Sequence, residues 1–177
     1  MKTFTIPSRE DVSENNKLIF DTLKKNVGFV PNMYAFLAHS SSALGDYLTL
    51  QNRNTSLNNK EKEVVNLVVS QLNGSNYCQT AHTAIGKMVG FTEDQTIKIR
   101  KGKIYFNAKL EALARLTAEV VNKKGEVSEE VKSDFFNAGY TIENLIDVVM
   151  TVGDKIISNY LFAFVKVPID FPIPKAI

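Results

Sequence analysis

The sequence has no tryptophan, one cysteine and two histidines in 177 residues. A single thiol closes no internal disulfide, and with two histidines it makes no cysteine-rich zinc site, so a disulfide-stapled scaffold is excluded. Charge of one sign is lacking too: 21 basic against 19 acidic side chains leave a formal +2. That is too weak a positive field for nucleic acid or an anionic membrane surface, and neither partner is expected. Long apolar runs are missing. The longest, Leu145 to Val152, holds Asp147 and is followed by Gly153-Asp154-Lys155, short of the ~20 residues that cross a bilayer. The start, Met1-Lys2-Thr3-Phe4-Thr5-Ile6-Pro7, carries no apolar segment of the kind a secretory signal has. A cytoplasmic location, where a lone thiol stays reduced, is the expectation.

What the chain does have is 44% hydrophobic residues at helical spacing, without runs of strict alternation. An all-α fold follows. The length suits one domain, 1–177, with an N-terminal helical subregion (1–56), a core (57–165) and a C-terminal arm (166–177). In the first helix, which starts near Ser13 and stops before Gly28, Leu18, Ile19, Thr22 and Leu23 are expected inward. Val64, Val65, Val68, Val69 and Leu72 share a wide arc from Asn58 to Leu72. Asn73-Gly74 then turns directly into a second helix from Ser75 to Val89, a tight helical hairpin. Thr92 and Gln95 spell a capping box. The helix from Thr141 to about Phe164 is apolar on most sides and calls for neighbours on each, which argues for an oligomer. Pro168, Pro172 and Pro174 make the tail an extended arm.

The chemistry concentrates in Ser75-Asn76-Tyr77-Cys78-Gln79-Thr80-Ala81-His82. A helix starting at Ser75 puts Cys78 in its first turn, where unpaired amides and the helix dipole favour a thiolate. His82 lies one turn further on the same side, in reach of proton exchange with the sulfur directly or through water. Ser75, three residues before the cysteine, shares that side. Periodicity sets Glu63 beside Asn66 and Ser70, opposite the valine arc, as a solvated carboxylate would be. Tyr77 reads as a core aromatic and His39 as a capping or surface group. Lys98, Arg100, Lys101 and Lys103 suit a helix end facing solvent.

These residues carry a resemblance. Leu57 to Val65, followed by Val69 to Thr83, is similar to the signature of the alkylhydroperoxidase D-like, or carboxymuconolactone decarboxylase, family: a glutamate, eleven intervening residues, then C-x-x-C-x-x-x-H. Glu63, Cys78 and His82 fall on three of its four places. Val30-Pro31-Asn32, Ala38-His39-Ser40, Ile156 to Tyr160 and Pro168 to Pro172 resemble the peroxidase-related branch. The resemblance implies an antiparallel helical bundle of about seven to eight helices, turns Glu63 inward beside His82, and assembles chains as a trimer or hexamer.

The chain departs from the family pattern where Ser75 stands in place of the first cysteine. The resemblance then implies Cys78 as nucleophile, His82 as base or proton relay, Glu63 as its orienter and Ser75 as a hydrogen-bond donor near the sulfur. It implies no resolving thiol. The expected partners are a small-molecule hydroperoxide and an external thiol reductant, with no metal and no cofactor. Lactone decarboxylation, which needs no cysteine, and a non-catalytic redox sensor with a decayed site remain as alternatives.

Overall fold

Polar caps and glycine stops cut the chain into helices much as its periodicity requires. The computed structural model describes residues 4–175, and the described residues form nine α-helices, one 3-10 turn (Arg9–Asp11) and no strand. The helices are α1 (Glu14–Val27), α2 (Asn32–Leu37), α3 (Ala43–Gln51), α4 (Asn59–Leu72), α5 (Asn76–Met88), α6 (Glu93–Arg100), α7 (Ala108–Asn122), α8 (Glu129–Asn137) and α9 (Ile142–Val165). The count exceeds the expected seven to eight because of short, separate elements such as α2 and α3. Between these two, the Ser40 hydroxyl accepts the amides of Ser42 and Ala43 at 3.4 and 3.2 Å and starts a new helix.

The helix that bears Glu63 is fixed at its start by a reciprocal cap. Asn58 Oδ1 accepts the Glu61 amide at 3.0 Å, and Glu61 Oε2 accepts the Asn58 amide at 2.9 Å. Asn58→Ala is expected to cost about 1 kcal/mol, read as a lower urea midpoint with an unchanged slope. At the other end of α4, Gly74 adopts φ +64°, a left-handed turn open to glycine without strain. That turn lets α5 start within four residues of the end of α4.

The helices group into two compact units. One comprises the residues up to Arg53 together with Leu161–Asp170, around a core of Val12, Phe20, Ala35, Ala38 and Leu44. Here Leu18 is not inward as expected but 67% exposed. The buried face of α1 is instead set by Phe20 and by Asn16, whose amide donates to the carbonyls of Ala38 and Ser40 at 3.1 and 2.9 Å. A buried amide held by two carbonyls dictates the rotation of the helix. Leu18, Ile19, Thr22 and Leu23 consequently line an open cleft of about 480 Å³.

The other unit comprises Asn54–Tyr160 and the segment from Phe171 onward. Its centre is α4, which packs against α5, α6 and α7. Val64, Val65, Leu67 and Val69 are wholly buried, against Leu113, Phe135 and Val148 among others. With neighbours on several sides, α4 has no solvent face at its middle: Glu63, Asn66 and Ser70 are buried too. In α9, Val148 and Val152 join the core, whereas Ile142, Ile146, Val149, Ile157 and Tyr160 are exposed. By length and composition α9 is a described helix long and apolar enough to cross a bilayer, which the apolar run counted only from Leu145 to Val152 does not show. Half of its apolar stretch is buried within the fold, along with Asp154, Lys155, Ser158 and Asn159. The proline-bearing tail is non-helical as expected, and Phe171 meets Tyr77 edge-on with ring centroids 5.8 Å apart.

Candidate active site

Ser75 is the N-cap of α5, which makes Cys78 the third helical residue, still within the turn whose amides lack carbonyl partners. The serine hydroxyl makes no capping bond; it is buried and has no hydrogen-bond partner. Cys78 is an unpaired, buried thiol. Its sulfur lies 3.8 Å from Ser158 Oγ on α9, and Ser158 in turn donates to the carbonyl of Lys155 at 3.2 Å. With the serine proton spent on that carbonyl, the hydroxyl oxygen offers a lone pair to the thiol proton. Ser158, not Ser75, is the hydroxyl in contact with the sulfur.

One turn further along α5, His82 is buried between a carboxylate and an ammonium. Its Nδ1 is 2.9 Å from Glu63 Oε2, and its Nε2 is 3.2 Å from Lys155 Nζ. A carboxylate only accepts and an ammonium only donates, so these neighbours assign a neutral ring with the proton on Nδ1. Asn66 donates to the other Glu63 oxygen at 2.8 Å. Burial pushes the Glu63 carboxyl up, but the hydrogen bonds from His82 and Asn66 and the charge of Lys155 together hold it below the ordinary carboxylate range. Lys155 is also 3.6 Å from Asp154 Oδ2, with both side chains buried.

The structure thus brings Glu63 and His82 together, as the family resemblance implies, in a position periodicity alone assigns to solvent. No direct hydrogen bond joins His82 to Cys78 in it, and the ring's Nε2 faces Lys155 at 3.2 Å. Lys155 and Ser158 are the site residues that sequence reasoning missed. The available signal was their i, i+3 spacing within an otherwise apolar helix, together with the flanking Asp154 and Asn159.

Arg100 also differs from expectation. It is buried rather than solvated, and its guanidinium donates to Gln71 Oε1 and Gln79 Oε1, both at 3.0 Å, and to the Lys175 carbonyl at 3.3 Å. Gln79 passes this anchoring on to the hairpin by donating to the Ser70 carbonyl at 3.2 Å. His39 lies outside the site, with Nε2 2.9 Å from the Thr5 carbonyl. Among the described residues, no three His, Cys, Asp or Glu side chains gather as a metal site.

A helical hairpin that buries a carboxylate–imidazole pair one turn beyond a first-turn cysteine places the molecule in the class of alkylhydroperoxidase D-type folds. Residues 39–119, which hold Glu63, Ser75, Cys78 and His82, match the model of the carboxymuconolactone decarboxylase family. Among solved structures, the chain is similar to an alkylhydroperoxidase core protein, peroxidase-related, from Ralstonia eutropha JMP134 (18% identity, TM-score 0.84, covering 94% of this chain and 91% of that one). A peroxidase-related protein from Silicibacter sp. TM1040 matches at 16% identity and TM-score 0.79, over 98% of this chain and 90% of that one. A cysteine-to-alanine variant of the debrominase Bmp8 in complex with 2,3,4-tribromopyrrole matches at 14% identity and TM-score 0.79, over 96% and 92%. At such identities the likeness is one of fold. No curated protein matches the chain.

Proposed function

We propose that this chain is a thiol-dependent peroxidase that reduces hydroperoxides through Cys78 alone, with an external thiol as reductant. The observation that carries the reading is the buried Glu63–His82 pair, joined at 2.9 Å one helical turn beyond a first-turn cysteine. A carboxylate buried against an imidazole is costly to keep without a use for the proton between them. The peroxidase-related names of two similar structures support the same chemistry.

In the first step the Cys78 thiol loses its proton and the sulfur attacks the terminal oxygen of ROOH. The O–O bond breaks, Cys78 becomes a sulfenic acid, and the alkoxide leaves with the proton the thiol gave up, as ROH. Ser75 has no sulfur with which to resolve that sulfenic acid. An external thiol therefore condenses with it, releasing water and leaving a mixed disulfide. A second thiol attacks that disulfide, restores Cys78 and departs as the oxidised dimer. A reducing compartment suits this cycle. The exposed apolar residues of α9, Ile146, Val149 and Ile157 among them, support assembly of like chains.

The test is hydroperoxide consumption with monothiol and dithiol reductants in wild type, Cys78→Ser and Ser75→Cys. Wild type should turn over with a monothiol, Cys78→Ser should fall to the buffer rate, and Ser75→Cys should gain turnover with dithiols. A wild type no faster than buffer, or a Cys78→Ser variant as fast as wild type, overturns the reading. Lactone decarboxylation retained in Cys78→Ser would assign the second family chemistry instead.

A further inference from the structure

The contacts between α5 and α9 form two rungs, one turn apart. Cys78 meets Ser158 at 3.8 Å, and His82 meets Lys155 at 3.2 Å. The second rung is anomalous for a carboxylate–imidazole–thiol relay. Such a relay leaves the outer imidazole nitrogen free to take the thiol proton, and here an ammonium occupies it. Lys155 is 2% exposed, among the largest fully buried side chains in the structure. A lysine is not kept there by packing: its ammonium gives up hydration that the surrounding groups must replace.

We propose that Lys155 is a positioning residue for Cys78, locking His82 in its Nδ1–H tautomer and supplying the fixed positive charge that favours the thiolate. The inference rests on Cys78 being the reacting group but not on peroxide being its substrate. Three observations meet in it. The Lys155 hydrogen bond reaches Nε2 while Glu63 holds Nδ1, so the ring is fixed from both sides. The Lys155 carbonyl accepts the Ser158 hydroxyl, so the same residue also orients the group that touches the sulfur. Released from that carbonyl, the Ser158 hydroxyl can turn its proton toward a sulfur anion. Among the described residues, the charged and titratable groups around the ammonium include Glu63 on α4, His82 on α5 and Asp154 on α9 itself, with Cys78 one rung away on α5. With the ring neutral, two carboxylates face one ammonium. Lys155 is then the cation of this cluster among the described residues, and removing it leaves the two carboxylates without it one rung from the sulfur.

Two measurements test this. Two-bond proton–nitrogen NMR of wild-type protein near neutral pH should show His82 neutral and protonated at Nδ1. A ring protonated at Nε2 only, or an imidazolium at that pH, overturns the proposal without any variant. The second is the rate of Cys78 alkylation against pH in wild type, Lys155→Met and Lys155→Arg. Lys155→Met, close in length and without charge, should move the midpoint up by about one pH unit, the scale set by a nearby opposite charge. At neutral pH its rate should fall about tenfold. Lys155→Arg should return most of both. A purely structural role would alter the rate without moving the midpoint, and an unmoved midpoint in a folded Lys155→Met overturns the proposal. Failure of wild type to consume hydroperoxide, with the tautomer and the midpoint shift intact, would instead sink the peroxidase reading and leave this one standing.

Discussion

Glu63→Ala is expected to destabilise the fold by about 3–5 kcal/mol at neutral pH, the range found when one partner of a buried ion pair is deleted. The substitution strands three groups at once. His82 loses the acceptor for its Nδ1 proton, Asn66 loses the acceptor at 2.8 Å, and Lys155 loses one of the carboxylates near it, keeping Asp154 at 3.6 Å. Glu63 is 6% exposed, so water cannot replace what is lost. Urea unfolding at pH 7 reads the effect. Glu63→Gln should cost less, since its amide oxygen still accepts one of the two hydrogen bonds.

The same residue sets a pH dependence whose direction is fixed. The Glu63 carboxyl sits below its ordinary value of 4.5 in the folded state. The folded protein therefore holds fewer protons there than the unfolded chain. Its contribution to stability is complete above the ordinary carboxylate value and drains away as pH falls through the lower folded-state value. Wild-type stability should decline on acidification through that window. Glu63→Gln should decline less steeply over the same window, and parallel urea-midpoint curves for the two proteins would show that Glu63 does not drive the loss.

Phe135→Ala should cost a similar about 3–5 kcal/mol, through packing and not charge. Phe135 is fully buried and stacks on Tyr140 with centroids 4.5 Å apart and planes at 7°, while Phe136 meets it edge-on at 5.4 Å. Truncation opens a cavity under Tyr140 and removes an aromatic pair. Lys109 Nζ, 4.6 Å from the Tyr140 ring centroid, loses part of its support as well. Phe135→Leu should recover roughly half, and the gap between the two variants in urea midpoint separates cavity from stacking. The surviving protein should retain the His82 tautomer, because none of the hydrogen bonds around that ring involves Phe135.

Local chemistry was readable wherever a decision is made within a few residues. Thr92 and Gln95 spelled a capping box, and the structure has it: the threonine hydroxyl accepts the Gln95 amide at 3.2 Å. The start of α5 at Ser75 was readable from the Asn73-Gly74 turn before it, although the serine hydroxyl makes no capping bond. Glu63 marks where that reading stops. A helix wheel knows one helix, and on it Glu63 stands opposite the apolar arc; that this face is buried depends on which other helices surround α4. The family signature carried that information because it records tertiary pairing in sequence spacing. Arg100 and Leu18 went astray for the same reason. A cation at a helix end and a leucine in an apolar row were assigned by their own helices, whereas their burial was set by Gln71 and Gln79 in one case and by Asn16 in the other.

By itself the order of residues determined that the protein is all-helical, where most helices begin and stop, and that its one sulfur lies near a helix start. Helix periodicity and capping are short-range, so they are written within a turn or two of chain. Only the tertiary structure decided what surrounds that sulfur: Ser158 at its side, and an imidazole closed at both nitrogens by Glu63 and by Lys155, 73 residues further along the chain. Contacts between distant segments depend on how whole helices pack, and a lysine in an apolar helix looks like an interruption until the groups that neutralise it are seen beside it.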